Sequence, residues 1–178
     1  MNAAILTTER LVLTPVAATD LDDLLALWAD EDFTRHITGR AMTSEEVWFR
    51  LLRDLGQWSV AGYGSWTMRL ADSGAYLGNV AILDHRRLIE PPLTDPELGW
   101  GLSPAFQGQG FAAEALRAAL DWTDAHLSGA RTVCMIAPEN LASIRLATRV
   151  GFRPYATTTY KDHPVQLFER PRKDRGEP

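Results

Sequence analysis

At 178 residues, 46% of them hydrophobic, the chain is the size of one domain and long enough to bury a real core. A formal charge of −5 and the lack of a long basic block argue against a nucleic-acid surface, and no apolar run approaches the ~20 residues of a membrane span. A mildly acidic chain better suits a cationic partner such as an amine.

The start, MNAAILTTERL, has no basic leader followed by an apolar stretch, so a cytoplasmic address is expected. The first strand is read at Arg10 to Pro15, where apolar and polar residues alternate. Asp20 then caps a helix with Leu21, Leu24, Leu25 and Trp28 at helical spacing. A second helix opens at Thr43 or Ser44, with two glutamates in its first turn and Val47, Leu51, Leu52 and Leu55 as its stripe. Period-two patterning returns at SWTMRL and YLGNVAIL, joined by a turn at ADSGA, which reads as a hairpin. A proline-rich loop, HRRLIEPPLTDP, leads to a strand at Glu97 to Leu102. A long amphipathic helix follows from about Phe111 to Leu127, then the strand TVCMIA and a helix from Leu141 to Val150, capped by Asn140 and stopped by Gly151. Strands at Tyr155 to Tyr160 and Val165 to Glu169 close a single domain over 1–170, and the charged stretch 171–178 reads as a frayed tail. Cys134, the single cysteine, reads as a small core residue. The element order predicts an α/β (α+β) domain with a mixed sheet.

The segment PAFQGQGFAAEAL sets Gly108 and Gly110 directly before the long helix. Orphan N–H groups and the positive dipole end make such a terminus an anion site, and glycines let a phosphate approach the backbone. The other reading is that the two glycines only permit a tight turn. GQGFAA also fits the dinucleotide fingerprint, but Pro104, Ala105 and Phe106 separate it from the strand, and Ala130 and Arg131 stand where an acidic residue is required.

In the frame Gln107-x-x-Gly110-x-Ala112, the sequence resembles the acyl-coenzyme A motif of the GNAT acetyltransferases, set between a strand and a long helix. The opening TTERLVLTPV is similar to the first strand of the ribosomal-protein N-terminal (alanine/serine) acetyltransferase branch, and PENLASIRLATRVGF to that branch's second coenzyme A segment, at Asn140, Ser143, Leu146, Gly151 and Phe152. The resemblance runs over about 7–170. It implies a mostly antiparallel sheet of about seven strands, splayed at the centre, with about four helices. It also implies direct acetyl transfer from acetyl-CoA to a primary amine, on a protein N-terminus or a small molecule, without a metal, and a homodimer is common in the family. A non-catalytic acyl-CoA-binding module is the alternative.

The resemblance further implies the site. N–H groups of Gly108, Gln109, Gly110, Phe111 and Ala112 hold the pyrophosphate with Gln107 near the loop's mouth, backbone groups of Leu102 and Ser103 hold the pantetheine arm, and Asn140 and Ser143 assist, Asn140 being a helix cap on either reading. From alternation, Glu97, Gly99 and Gly101 share a strand face that is bare apart from one carboxylate, so a ligand is expected beside Glu97, which serves as base for the incoming ammonium. The acid is Ser143 or a tyrosine. Tyr155 and Tyr160 are five residues apart, so without a bulge only one of them, taken as Tyr160, faces the site. YATTTYK lacks the carboxylate that some members of the branch carry there. Arg35, His36, Arg40, Trp48 and Trp58 are candidate acceptor contacts, Arg145 and Arg149 read as solvated charges, and the four histidines lack metal-ligand spacing.

Overall fold

Leu11 and Leu13 are fully buried while the alternating Val12 and Thr14 are not, the signature of a strand with one face on the core. In the computed structural model, which describes residues 4–172, this strand is β2 (Leu11–Pro15), preceded by a two-residue β1 (Leu6–Thr7). There follow α1 (Leu21–Ala29), a single turn α2 (Glu31–Thr34), α3 (Ser44–Ala61), the hairpin β3 (Ser65–Leu70) and β4 (Tyr76–Leu83), and β5 (Glu97–Leu102). The chain continues through α4 (Phe111–His126), β6 (Arg131–Ile136), α5 (Leu141–Arg149), β7 (Arg153–Tyr160) and β8 (His163–Pro171). The eight strands of the described residues form one sheet in the order β1-β2-β3-β4-β5-β6-β8-β7, antiparallel except at β5 and β6. Two elements exceed the sequence expectation, β1 and α2, both too short to carry a period.

Helices α4 and α5 cover one face, where Phe111, Leu116 and Leu120 meet Trp66, Val80, Leu98 and Phe168. Helices α1 and α3 cover the other, with Leu24, Trp28, Phe33, Val47 and Leu51 as their core. The start of α3 follows its sequence signal: Thr43 accepts from the Glu46 N–H at 3.3 Å and Glu46 accepts from the Thr43 N–H at 2.8 Å. Asp20 departs from expectation. Its carboxylate does not cap α1 but is buried, taking the Ala17 N–H at 2.9 Å, the Thr67 hydroxyl at 2.7 Å and Arg69 at 3.0 Å, which ties the entry of α1 to β3.

The feature that positions the site is the meeting of β5 and β6. Both strands have six residues, yet they share a single register, Glu97 with Val133, closed by the Val133 N–H on the Pro96 carbonyl at 2.9 Å. Beyond it the strands part. At the far edge β8 runs through Pro171, and the Arg172 N–H donates to Ala130 at 3.0 Å, so order extends past the expected start of the tail; 173–178 lie outside the described residues.

Candidate active site

Two glycines make the turn from β5 into α4. Gly108 (φ +76°) and Gly110 (φ +86°) occupy the left-handed region that favours glycine, and a Cβ on Gly108 would meet nothing within 4 Å. Gly110 is the N-cap of α4 and offers no side chain, so the first-turn N–H groups of this 16-residue helix face outward uncapped. The two glutamines brace the turn instead of reaching from it: Gln107 Nε2 donates to Leu102 O at 3.2 Å and Gln109 Nε2 to Ala105 O at 3.3 Å.

The turn is clamped from outside by residues of the TTERL segment. Arg10 gives Nε and Nη2 to the Glu114 carboxylate at 2.8 and 2.7 Å, gives Nη1 to the Gln109 carbonyl at 3.1 Å, and lies 4.4 Å over the Phe111 ring. The Thr8 hydroxyl donates to Glu114 at 2.6 Å. Burial alone would raise the Glu114 pKa, but Thr8 and Arg10 outweigh it and hold the carboxyl below its usual range. In the sequence Arg10 reads as the start of a strand and as part of a resemblance, and its partner lies 104 residues away.

The parting of β5 from β6 opens a cleft beside this turn. In a ladder the backbone groups of alternate residues point to the same side. Since Pro96 O faces β6 and the Ser103 N–H donates to Leu77 O of β4 at 2.8 Å, the N–H groups of Trp100 and Leu102 face the cleft, and beyond the single register no strand of the described residues takes them. The expectation for Ser103 is thereby corrected, because its N–H is spent on β4. The Leu102 carbonyl is shared with Gln107.

Across the cleft α5 begins. Asn140 Oδ1 accepts the Ser143 N–H at 3.1 Å, so the cap is real, while its Nδ2 and the Ser143 hydroxyl make no hydrogen bond among the described residues. Arg145 and Arg149 are exposed.

Glu97 differs most from its sequence reading. It is 6% exposed, and both carboxylate oxygens accept from Arg87, Nε at 2.8 and 3.0 Å and Nη2 at 2.9 Å. A carboxylate so engaged positions an arginine, and it surrenders that pair if it takes a proton from an ammonium. The bare face is not bare either. A Cβ on Gly99 would lie 2.9 Å from Leu83, and one on Gly101 2.7 Å from the Phe33 ring, so the glycines admit side chains of the fold and not a ligand. A recess bordered by His85, Arg87, Thr94 and Glu97 opens at this end of β5.

The Arg87 guanidinium also lies 5.0 Å from the Tyr160 ring centroid, which brings Glu97, Arg87 and Tyr160 into one group. Between Pro154 and Ala156 the register of β7 shifts by a bulge at Tyr155. This restores parity between the two tyrosines. Tyr155 meets Arg131, which shares its face with Val133 and hence with Glu97, and burial pushes its phenol upward.

The arginines of this face carry little signal in the sequence. Arg50 lies on the buried stripe of α3 between Val47 and Asp54, a charge at an apolar position, and that was the available signal. Its guanidinium sits 4.0 Å over Trp28. His85 nearby is half-buried with Nε2 unpartnered, and burial, then Arg53, Arg87 and Arg50, push its pKa down to about 3. The expected acceptor contacts fare unevenly. Arg40 is tied to Glu46 at 2.5 Å and Arg35 to Asp32, Trp58 Nε1 is committed to Ser65 O at 2.8 Å, and His36 and Trp48 are exposed. Among the described residues no group of three His, Cys, Asp or Glu is arranged to hold a metal, and no helix is long and apolar enough to cross a membrane.

Comparison with known proteins agrees with this geometry. Residues 10–153 match the acetyltransferase (GNAT) domain family. A GnaT-family acetyltransferase from Bordetella pertussis superposes with a TM-score of 0.82 at 32% identity, covering 94% of this chain and 99% of that one. The uncharacterised N-acetyltransferase p20 of Bacillus licheniformis is 24% identical over 147 residues, 82% of this chain and 80% of its own length. RimL, a ribosomal L7/L12 alpha-N-protein acetyltransferase solved in complex with coenzyme A, shares the fold at a TM-score of 0.77 and 18% identity, covering 94% and 98% of the two chains. The chain belongs to the GNAT acetyltransferases and is an acetyl-CoA-dependent N-acetyltransferase.

Proposed function

We propose that the two faces of the sheet divide the work of acetyl transfer, the cleft holding acetyl-CoA and the α1–α3 face receiving a primary amine. The observation that carries this reading is the parting of β5 from β6 after one register, with an uncapped helix terminus at its mouth. N–H groups from Gly108 to Ala112 hold the pyrophosphate, and those of Trp100 and Leu102 lie along the pantetheine arm as a strand edge would. In the reaction the amine nitrogen bonds to the thioester carbonyl carbon, the C–S bond breaks, the amine sheds a proton and the thiolate takes one.

A backbone N–H fixed at the cleft edge is suited to polarise the carbonyl, because it needs no rearrangement as charge develops there. Ser143, with its hydroxyl uncommitted in the first turn of α5, is the best-supported donor to the departing sulfur. Tyr160 is second, since Arg87 fixes its ring. Glu97 keeps Arg87 in place and is not assigned the base; the acceptor is taken up as the free amine. The acceptor is a protein N-terminus or a small molecule, and the enzyme works in the cytoplasm, where acetyl-CoA is supplied. A homodimer suits the exposed Trp48, Phe49 and Leu52 of α3 and is checked by sedimentation.

Thermal unfolding with acetyl-CoA, and with NAD as control, tests the cleft. A ligand at a hundred times its dissociation constant stabilises by about 2.7 kcal/mol, several degrees in a domain of this size. Amine-dependent thiol release across a panel of acceptors then tests the transfer. A shift with NAD alone, or with neither, overturns the site.

A further inference from the structure

Helix α3 turns Arg50 onto the face that the proposed function gives to the acceptor. Its guanidinium lies 4.0 Å over the ring of Trp28, Trp28 stands edge-on to Phe33 at 5.0 Å, and Phe33 lies against Gly101 of β5. Two aromatic rings therefore connect Arg50 to the strand whose other edge lines the cleft. The Trp28 indole N–H, in the same group, has no hydrogen-bond partner among the described residues.

Arg50 has no ion pair of its own among the described residues. Arg53, Arg87, Asp54 and Tyr76 are its electrostatic neighbours. Each carboxylate of the neighbourhood is already in another arginine's hands: Asp54 holds Arg53 at 2.7 Å, Glu97 holds Arg87 at 2.8 Å, and Asp20 and Asp23 hold Arg69, at 3.0 and 2.5 Å. Among the described residues no carboxylate lies within ion-pair distance of Arg50, so of Arg50, Arg53, Arg69 and Arg87 it is the one left without an ion pair. Burial pulls its pKa down to about 10, which leaves it charged at neutral pH. His85, held neutral by burial and these arginines, adds no negative charge. An unpaired guanidinium presents a planar fork of donors that matches a carboxylate, and the half-buried Arg50 is still within reach of solvent.

We propose that the acceptor amine carries an acidic group, a carboxylate, and that Arg50 is the residue that receives it. The overall acidity of the chain points to a cationic partner, whereas locally the one charge left without an ion pair is the Arg50 guanidinium. A polyamine, whose every terminus is cationic, is disfavoured here.

The inference rests on the acetyltransferase reading, and the experiment separates the two. ω-Amino acids of two to six carbons are assayed against their own carboxamides and against diamines of equal length. A short peptide with an acidic second residue is assayed against the same peptide with the amide there, which distinguishes a free amino acid from a protein N-terminus as the source of the carboxylate. In the wild type, kcat/KM for at least one acid exceeds that of its amide by about 10-fold or more, the scale of one charge-assisted hydrogen bond. In Arg50→Met the ratio falls toward one, and Arg50→Lys, which keeps the charge without the fork, lies between, with the thermal shift produced by acetyl-CoA retained in both. Equal use of amide and acid by the wild type, or a ratio that survives in Arg50→Met, overturns the proposal and leaves the enzyme reading intact. If no amine turns over although acetyl-CoA binds, the enzyme reading falls, and calorimetric titration of the same acids and amides into the protein with coenzyme A decides the inference: binding of acids that needs Arg50 upholds it, and equal binding of acids and amides overturns it.

Discussion

The glycine turn and the α3 face lie on either side of one strand, and they are built from different materials. At the turn the functional groups are backbone N–H donors, exposed because glycines bend the chain and no side chain caps α4. On the other face they are side chains held by side chains, Arg87 by Glu97, Arg53 by Asp54, and Arg50 by the ring of Trp28. A backbone site tolerates many sequences as long as its few glycines stand. A side-chain site can be retuned by one substitution, which is where acceptor choice is expected to reside.

The largest effect should come from breaking the side-chain region at its centre. Arg87→Ala leaves Glu97 buried without its cation, and about 3–5 kcal/mol of stability should be lost in chemical denaturation, whereas Glu97→Gln should lose distinctly less. The same Glu97→Gln variant sharpens the catalytic reading. A fall in kcat of about 100-fold or more would restore Glu97 as general base, and a smaller one keeps it as the anchor of Arg87. On the backbone side, Gly110→Val forces a branched residue to φ +86° beside Arg10, and acetyl-CoA affinity measured by calorimetry should drop about 100-fold, equal to about 2.7 kcal/mol. Ser143→Ala should lower kcat about 10-fold, about 1.4 kcal/mol in the barrier, without weakening acetyl-CoA binding. Unchanged kcat would pass the role to Tyr160.

The smallest effect is a pH dependence. His85 titrates near 3 in the fold against 6.5 in a free chain, so between those values the unfolded chain binds more protons and stability falls as pH falls. His85→Gln should flatten the acid limb of the melting curve between about pH 6.5 and 3 by about 1 kcal/mol, allowing for screening at a half-exposed site. An unchanged limb would mean that His85 gains a proton freely.

The sequence displays backbone devices well and paired charges poorly. PAFQGQGFAA reveals its turn because glycine before a helix has few other uses, and Thr43 with Glu46 reveals a helix start because both members of the box lie within four residues. The strand parity of Tyr155 and Tyr160 was legible only up to the bulge, whose presence depends on β8 and not on β7 alone. Glu97 looked free because Arg87 is ten residues away across an irregular loop, and the bare face of Gly99 and Gly101 looked open because Leu83 and Phe33 arrive from other elements. Asp20 reads as a cap in the sequence for the same reason, its partners Thr67 and Arg69 being 47 and 49 residues distant.

The single register between β5 and β6 has a mechanical meaning as well. It divides the sheet into leaves of five and three strands that hinge on Glu97 and Val133. A molecule lying between the leaves with its arm against β5 acts as a keystone, and the breathing of one leaf against the other should slow when it is seated. Amide exchange in β6 and β8 should therefore track the concentration of acetyl-CoA, and the lifetime of the enzyme in a cell should follow its fuel.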